Sequence, residues 1–263
     1  MKIPPLNPTA RETARSSGGS GFSLIELLVV IGIIAVLATF GLPALQGIGG
    51  STAMASATRQ LSDDLSFARL RAINDRATVY VVFVPPRIVE ENWTGRSVED
   101  LKERDKLLNK QYTSYALFTR RSLGDQPGPG RSRYITEWRT LPEGMMMAPE
   151  EFDYIPVKTV WSGIASTNRP MAYYRVPFPT ADSPEMLMPC VAFNYQGQLA
   201  EVGDEHLKIS KGTIQYATDS SGDYSLAKAE VIETPVGNGP SNPAVVVDWL
   251  TGRSRSILPP AKP

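Results

Sequence analysis

Cysteine and histidine occur once each in the 263 residues, as Cys190 and His206. One cysteine cannot close an intrachain disulfide, and cysteine/histidine metal centres need more ligands than this chain offers. Cys190 lies in MLMPCVAF and reads as a small hydrophobe in a strand. His206, in GDEHLK, reads as a polar residue of a loop or strand edge. An excess of charge is also missing, with 27 basic against 27 acidic residues. Nucleic-acid binders usually carry a basic excess or stripe, so no nucleic acid is expected as a partner. The chain has no GxSxG element, no Walker A sequence and no GxGxxG after a strand. No enzyme, no metal site and no cofactor is therefore expected. The acidic pairs Asp63-Asp64 and Glu150-Glu151 read as solvated surface. Asp219-Ser220-Ser221-Gly222-Asp223 is the one candidate calcium loop, but it lacks the spacing and terminal glutamate of an EF-hand. Tyr173-Tyr174 could touch DNA or a partner, and strand-core packing is the better reading.

What the chain does have is one long oily run. Residues 22–45 contain a single charge, Glu26. At 1.5 Å per residue a helix there would be about 36 Å long, enough to cross a hydrocarbon core. Before it, residues 1–21 are rich in Pro, Ser and Gly and net positive, from Lys2, Arg11 and Arg15 against Glu12. The positive-inside tendency keeps such a flank cytoplasmic and sends the rest of the chain across. The run reads as a membrane anchor, or as a secretory signal peptide cut after a small-residue site. Glu26 is awkward for a signal peptide, because a charge rarely interrupts the start of its apolar region. A carboxylate at membrane depth is costly and usually has a partner.

The stretch Gly21-Phe22-Ser23-Leu24-Ile25-Glu26-Leu27-Leu28 resembles the processing site of type IV pilin-like proteins. The resemblance implies cleavage between Gly21 and Phe22 by a prepilin peptidase and N-methylation of Phe22. It implies that the oily helix is retained, first as an anchor and then as the assembly helix of a filament. Glu26 would pair with the N-terminal amine of Phe22, on this subunit or a neighbour. Relieving two buried charges at once in this way sets register. Pro43, with Gly41, Gly47, Gly49 and Gly50 around it, matches the place where family helices kink or melt; otherwise the membrane helix simply ends near Leu42.

Residues 51–77 read as an amphipathic helix. Leu61, Leu65, Ala68 and Ala72 share one face, and Phe67, Leu70 and Ile73 widen it. Strand signals follow at 78–84, stopped by Pro85-Pro86, and at 112–121. Between them 97–109 reads as a short charged helix, an insertion. Residues 124–132 and 235–243 read as loops, 132–147 as strand, turn, strand, and 191–199 as a strand with a glycine turn. Ala244–Trp249 and Arg253–Ile257 read as a closing hairpin. The fold class expected is α+β, pilin-like: a long N-terminal helix, half transmembrane and half amphipathic, packed on an antiparallel β-rich domain. The domain plan is a leader over 1–21, the helix over 22–77 (transmembrane 22–45, amphipathic 51–77), a globular domain over 78–258 and a tail over 259–263.

The wording of the second half-helix and first strand, with Leu61 to Arg69, Ala72-Ile73-Asn74 and Thr78 to Phe83, resembles the GspH/FimT-type minor pseudopilins of type II secretion and type IV pilus systems. Trp138 and Leu141-Pro142-Glu143-Gly144 add to the likeness. The loops after residues 87 and 147, and the 21-residue leader, are longer than is usual there. The resemblance implies a structural subunit of a bacterial inner-membrane machine, single-pass with its C-terminal domain periplasmic, then part of a filament. Its partners would be the prepilin peptidase, other pilin or pseudopilin subunits and the inner-membrane assembly platform. Rivals are a major pilin, a membrane-anchored DNA- or ligand-binding tip module, and an anchored enzyme. Removing the leader leaves 24 basic and 26 acidic residues, which does not favour DNA.

Overall fold

The computed structural model describes residues 23–89, 92–121, 130–153, 170–234 and 243–257, with the side chains at 36, 38–51, 87 and 89 left aside. The chain divides into two compact units, Met1–Gly47 and Ile48–Pro263.

A single helix, α1, runs Leu24–Asp75. It is unbroken through Gly41 and Pro43. In the first unit every described side chain from Ser23 to Leu37 is exposed. Among the described residues no helix is long and apolar enough to cross a membrane. The expected transmembrane stretch over 22–45 lies in part outside the described side chains.

In the second unit the amphipathic reading of α1 holds at its centre. Ala57, Leu61, Leu65, Ala68 and Ala72 are fully buried, at the spacing that puts them on one stripe. The stripe is narrower than expected. Phe67 and Leu70 are 42% and 52% exposed, on the side turned from the sheets, while Ile73 is half-buried.

Eleven strands follow among the described residues: β1 Val79–Phe83, β2 Ser114–Thr119, β3 Arg133–Tyr134, β4 Arg139–Thr140, β5 Met145–Met147, β6 Ala172–Pro177, β7 Glu185–Phe193, β8 Glu205–Gln215, β9 Glu230–Glu233, β10 Ala244–Val247 and β11 Ser254–Ile257. They form two antiparallel sheets. One has the order β3-β2-β1-β7-β6 with β4 also on β2, and the other β11-β10-β8-β5 with β9 also on β8. The α+β class with antiparallel sheets is as expected. The 132–147 stretch differs. It makes three short strands rather than two, and they part company: β3 and β4 pair with β2, while β5 crosses to β8.

Alternation along β1 and β2 points two sets of side chains to two cores. Val79, Val81, Phe83, Tyr115 and Leu117 join the α1 stripe, with Leu207, Ile209, Val245 and Val247 of the other sheet. Val82 and Phe118 face the opposite way, into a second core with Met188, Cys190, Phe178 and Trp93. This second core explains why β2 is buried on both faces, where a strand beside solvent would alternate. Its cover comes from the insertion after β1. The expected helix over 97–109 is α2, Val98–Asp105, capped by Ser97, whose side chain accepts from the Asp100 amide at 3.0 Å. A 3-10 turn, Leu108–Lys110, completes it. The far end of the β6–β7 hairpin lies over the same face, for Tyr134 on β3 donates to the Pro177 carbonyl at 2.8 Å.

Candidate functional site

The residues that carry the expected processing chemistry lie at the start of the chain. Gly21 and Phe22 fall outside the described residues. Ser23 immediately precedes α1, and its carbonyl accepts from the amides of Glu26 and Leu27 at 3.0 and 3.1 Å. Glu26 is thus in the first turn, the one acidic residue there, and exposed. A carboxylate at that place faces the unpaired amides and the positive end of the helix dipole. The Ser-x-x-Glu spacing is also that of a capping box, a signal the sequence reading passed over. A helix start is therefore encoded immediately after the expected cleavage point. Pro43 lies within α1, its side chain outside the described ones.

A second set of contacts locks the other end of α1 into the second unit. Asp64, expected as solvated surface with Asp63, is instead buried. Its carboxylate accepts from the Tyr115 hydroxyl at 2.7 Å and pairs with the Arg139 guanidinium. Gln60 donates to the Tyr115 oxygen and to the Thr140 carbonyl, each at 3.1 Å. A buried carboxylate is tolerable only with such partners. Burial and the hydrogen bond to Asp64 push the Tyr115 hydroxyl far up, so it stays protonated as a donor. On the other flank Ser62 and Ser66 each meet the Ser254 hydroxyl at 3.0 Å, and Arg69 donates to the Thr251 carbonyl at 2.7 Å. The helix is thereby tied to β2 and β4 on one side and to the β10–β11 hairpin on the other. Gly252, at φ +62°, passes so close to the Gly197 carbonyl that no β-carbon fits between them.

The remaining candidates do not assemble a reactive site. Cys190 is buried in β7 as expected, and burial raises its thiol far above the ordinary value, so it is not a nucleophile. His206 is the second residue of β8, half-buried and opposite Val246. The Tyr173 hydroxyl donates to the Phe152 carbonyl at 2.6 Å and the Tyr174 hydroxyl to Glu201 at 2.7 Å, so both tyrosines serve packing. Asp219 spends its carboxylate on the amides of Ser221 and Asp223, at 2.8 and 3.1 Å, closing its own turn. Among the described residues no group of three or more His, Cys, Asp or Glu is placed to hold a metal ion.

Glu150-Glu151 also departs from the surface reading. Glu150 is exposed enough to meet Lys208 Nζ at 3.5 Å, but Glu151 is 2% exposed. The turn Pro149–Phe152 tucks Glu151 beside the start of β8, where the Ala148 amide donates to the Lys208 carbonyl at 3.0 Å. Burial first, and buried Glu205 next, push the Glu151 carboxyl up to about 9.

The profile of the prokaryotic N-terminal methylation motif matches residues 17–42. No curated protein and no solved structure matches the chain. The matched span contains Gly21, Phe22 and Glu26 and the first part of α1. It supports a type IV pilin-like protein that is a substrate for a prepilin peptidase, and it agrees with membrane anchoring and filament assembly.

Proposed function

We propose that this chain is a non-enzymatic structural subunit of a pilin-like filament. It is cut between Gly21 and Phe22, methylated at Phe22, held in the bacterial inner membrane by residues 22–45, and then added to the filament through α1. The observation that carries the reading is the methylation motif at residues 17–42, placed at the front of a helix whose far end is locked into a β domain. Glu26 is the assembly residue, paired with the amine of Phe22, and Pro43 is the place where the helix bends on assembly. The platform that lifts the subunit and its neighbours in the filament are its partners. Within the superfamily the finer reading is a minor pseudopilin of the GspH/FimT kind. Its basis is the sequence of the α1 end and of β1, and the buried stripe of Leu61, Leu65, Ala68 and Ala72 that this sequence produces.

The second reading is a repeated major subunit, and copy number separates the two.

The test is the intact mass of the N-terminus from cells with their own prepilin peptidase. The result expected is a chain that begins at methylated Phe22 and reverts to the full precursor in Gly21→Ala. A chain beginning beyond residue 35, or at an uncut Met1, overturns the reading.

A further inference from the structure

We infer that Asn92, in the tripeptide Asn92-Trp93-Thr94, is an acceptor for an N-linked oligosaccharide, on the face of the head turned away from the assembly helix. This rests on the filament-subunit reading above, which carries the β domain to the side of the membrane where such sugars are attached.

Transfer of a sugar to asparagine needs Asn-x-Ser or Asn-x-Thr, with x other than proline, on a surface loop of an exported protein. Among the asparagines of the chain only Asn7 and Asn92 have Ser or Thr at the second place after them. Asn7-Pro8-Thr9 is excluded by its proline, and it falls in the leader expected to be cut away. Asn92-Trp93-Thr94 is the one acceptor tripeptide left.

The fold presents this tripeptide with its ends out and its middle in. Asn92 and Thr94 are exposed, while Trp93 between them is 9% exposed and belongs to the second core. The Trp93 indole donates to the Ile88 carbonyl at 2.8 Å, and its ring lies 6.3 Å from that of Phe178 between centroids. The guanidinium carbons of Arg96 and Arg104 stand 5.5 and 5.2 Å from the indole centroid. Trp93 thus anchors the turn, and packing does not consume the residues on either side of it. The Asn92 side-chain oxygen accepts from the Thr94 amide at 2.9 Å, which makes an Asx turn. That bond engages the oxygen of the side-chain amide and not its nitrogen, the atom that a sugar joins. The Arg96 amide donates to the Trp93 carbonyl at 3.3 Å, closing a β-turn with Gly95 at φ +78° in its third position. No described atom lies within 4 Å of where a β-carbon on Gly95 would stand, so the crest of the turn is open to an enzyme.

The placement suits a subunit that joins its neighbours through α1. Val81, Phe83 and Leu117 of the first sheet point to the core that holds α1, whereas Val82 and Phe118 point to the core that holds Trp93. A sugar on Asn92 therefore stands across the sheet from the assembly helix. The donor is an oligosaccharide on a lipid pyrophosphate, and the catalyst is a membrane oligosaccharyltransferase. A bond forms between Asn92 Nδ2 and the anomeric carbon, and the bond from that carbon to the pyrophosphate oxygen breaks. The lipid pyrophosphate leaves with the electron pair, and the nitrogen gives one proton to a base of the transferase. Nothing is oxidised or reduced.

The test is fragmentation mass spectrometry of the full chain purified from the cells that naturally produce it, with the N-terminus read in the same sample. The result expected is a peptide in which residue 92 is heavier by an oligosaccharide. The addition is expected to persist in Thr94→Ser and to vanish in Thr94→Ala and in Asn92→Gln. All three variants are expected to reach the sheared filament fraction as the parent does, which separates a lost sugar from a misfolded head. A bare Asn92 in chains that begin at Phe22 overturns the site and leaves the filament reading standing. So does an addition that survives Thr94→Ala, or one carried by a serine or threonine in place of Asn92. An oligosaccharide on Asn92 of uncut chains supports the site while the filament reading falls.

Discussion

Glu151→Gln is expected to abolish a loss of stability that the parent protein suffers between acid and mildly alkaline pH. The carboxyl is 2% exposed and pushed up to about 9 from an ordinary 4.5, by burial first and by the nearby Glu205 second. Lys208 works the other way, and its own ion pair is with Glu150. Below about pH 4.5 both folded and unfolded chains hold the proton, and the full stability is present. As pH rises the unfolded chain releases its proton while the folded chain keeps it, so stability falls until the folded carboxyl itself ionises near pH 9. At about 1.4 kcal/mol per pH unit the loss across that window reaches about 6 kcal/mol. A glutamine has no proton to lose. The assay is urea unfolding of the full chain in detergent, followed by tryptophan fluorescence at pH 5, 7 and 9. The midpoint of the parent is expected to fall steadily across the series relative to that of Glu151→Gln. The gap should open by several kcal/mol at pH 9 and close near pH 5. Glu205→Gln, which removes the second cause, is expected to flatten the parent slope in part. Parallel pH profiles for parent and Glu151→Gln would refute the reasoning.

Other substitutions test the helix and its lock. Leu61→Ala, at the centre of the buried stripe, is expected to cost about 2–5 kcal/mol in the same unfolding assay. Phe67→Ala and Leu70→Ala, on the exposed side, are expected to change it by less than about 0.5 kcal/mol. Asp64→Asn removes the charge partner of Arg139 and is expected to cost about 1–3 kcal/mol. Gly252→Ala places a methyl against the Gly197 carbonyl at a positive φ, and limited proteolysis is expected to cut the β10–β11 hairpin faster in it. Glu26→Ala is expected to leave cleavage at Gly21 intact, by N-terminal mass, while the subunit disappears from sheared filament fractions.

The parts of the fold legible in the sequence are those where one local rule acts alone. A 3.6-residue stripe fixed the buried side of α1, a β-branched run fixed β1, and a glycine-containing turn after the apolar run Ala244–Val247 fixed the β10–β11 hairpin. The methylation motif over 17–42 was legible because a charge inside an apolar run has few explanations. β8 was missed although Leu207 and Ile209 alternate, because charged and polar residues between and after them dilute the signal. The full extent of β6 and the split of 132–147 into β3, β4 and β5 did not register, because these short strands are set by the neighbouring strand that supplies their hydrogen bonds.

The misread acidic pairs have a common cause. Asp63-Asp64 and Glu150-Glu151 each put one carboxylate out and one in, because adjacent residues on a helix or tight turn point in different directions. Whether the inward one is tolerated depends on partners remote in sequence. Asp64 finds Tyr115 and Arg139, 51 and 75 residues away, and accepts from both. Glu151 meets Glu205 instead, and its carboxyl retains the proton. The same local pattern thus gives a hydrogen-bonded lock in one place and a neutral acid in the other. The difference is set by which strand each helix or turn is pressed against. β2 is buried on both faces for a separate reason, which acts on the side away from α1. The insertion around α2 and the end of the β6–β7 hairpin cover a sheet face that a shorter chain would leave in water. With that face occupied by the protein's own residues, the side of α1 that carries Phe67 and Leu70 is among the described surfaces that remain exposed.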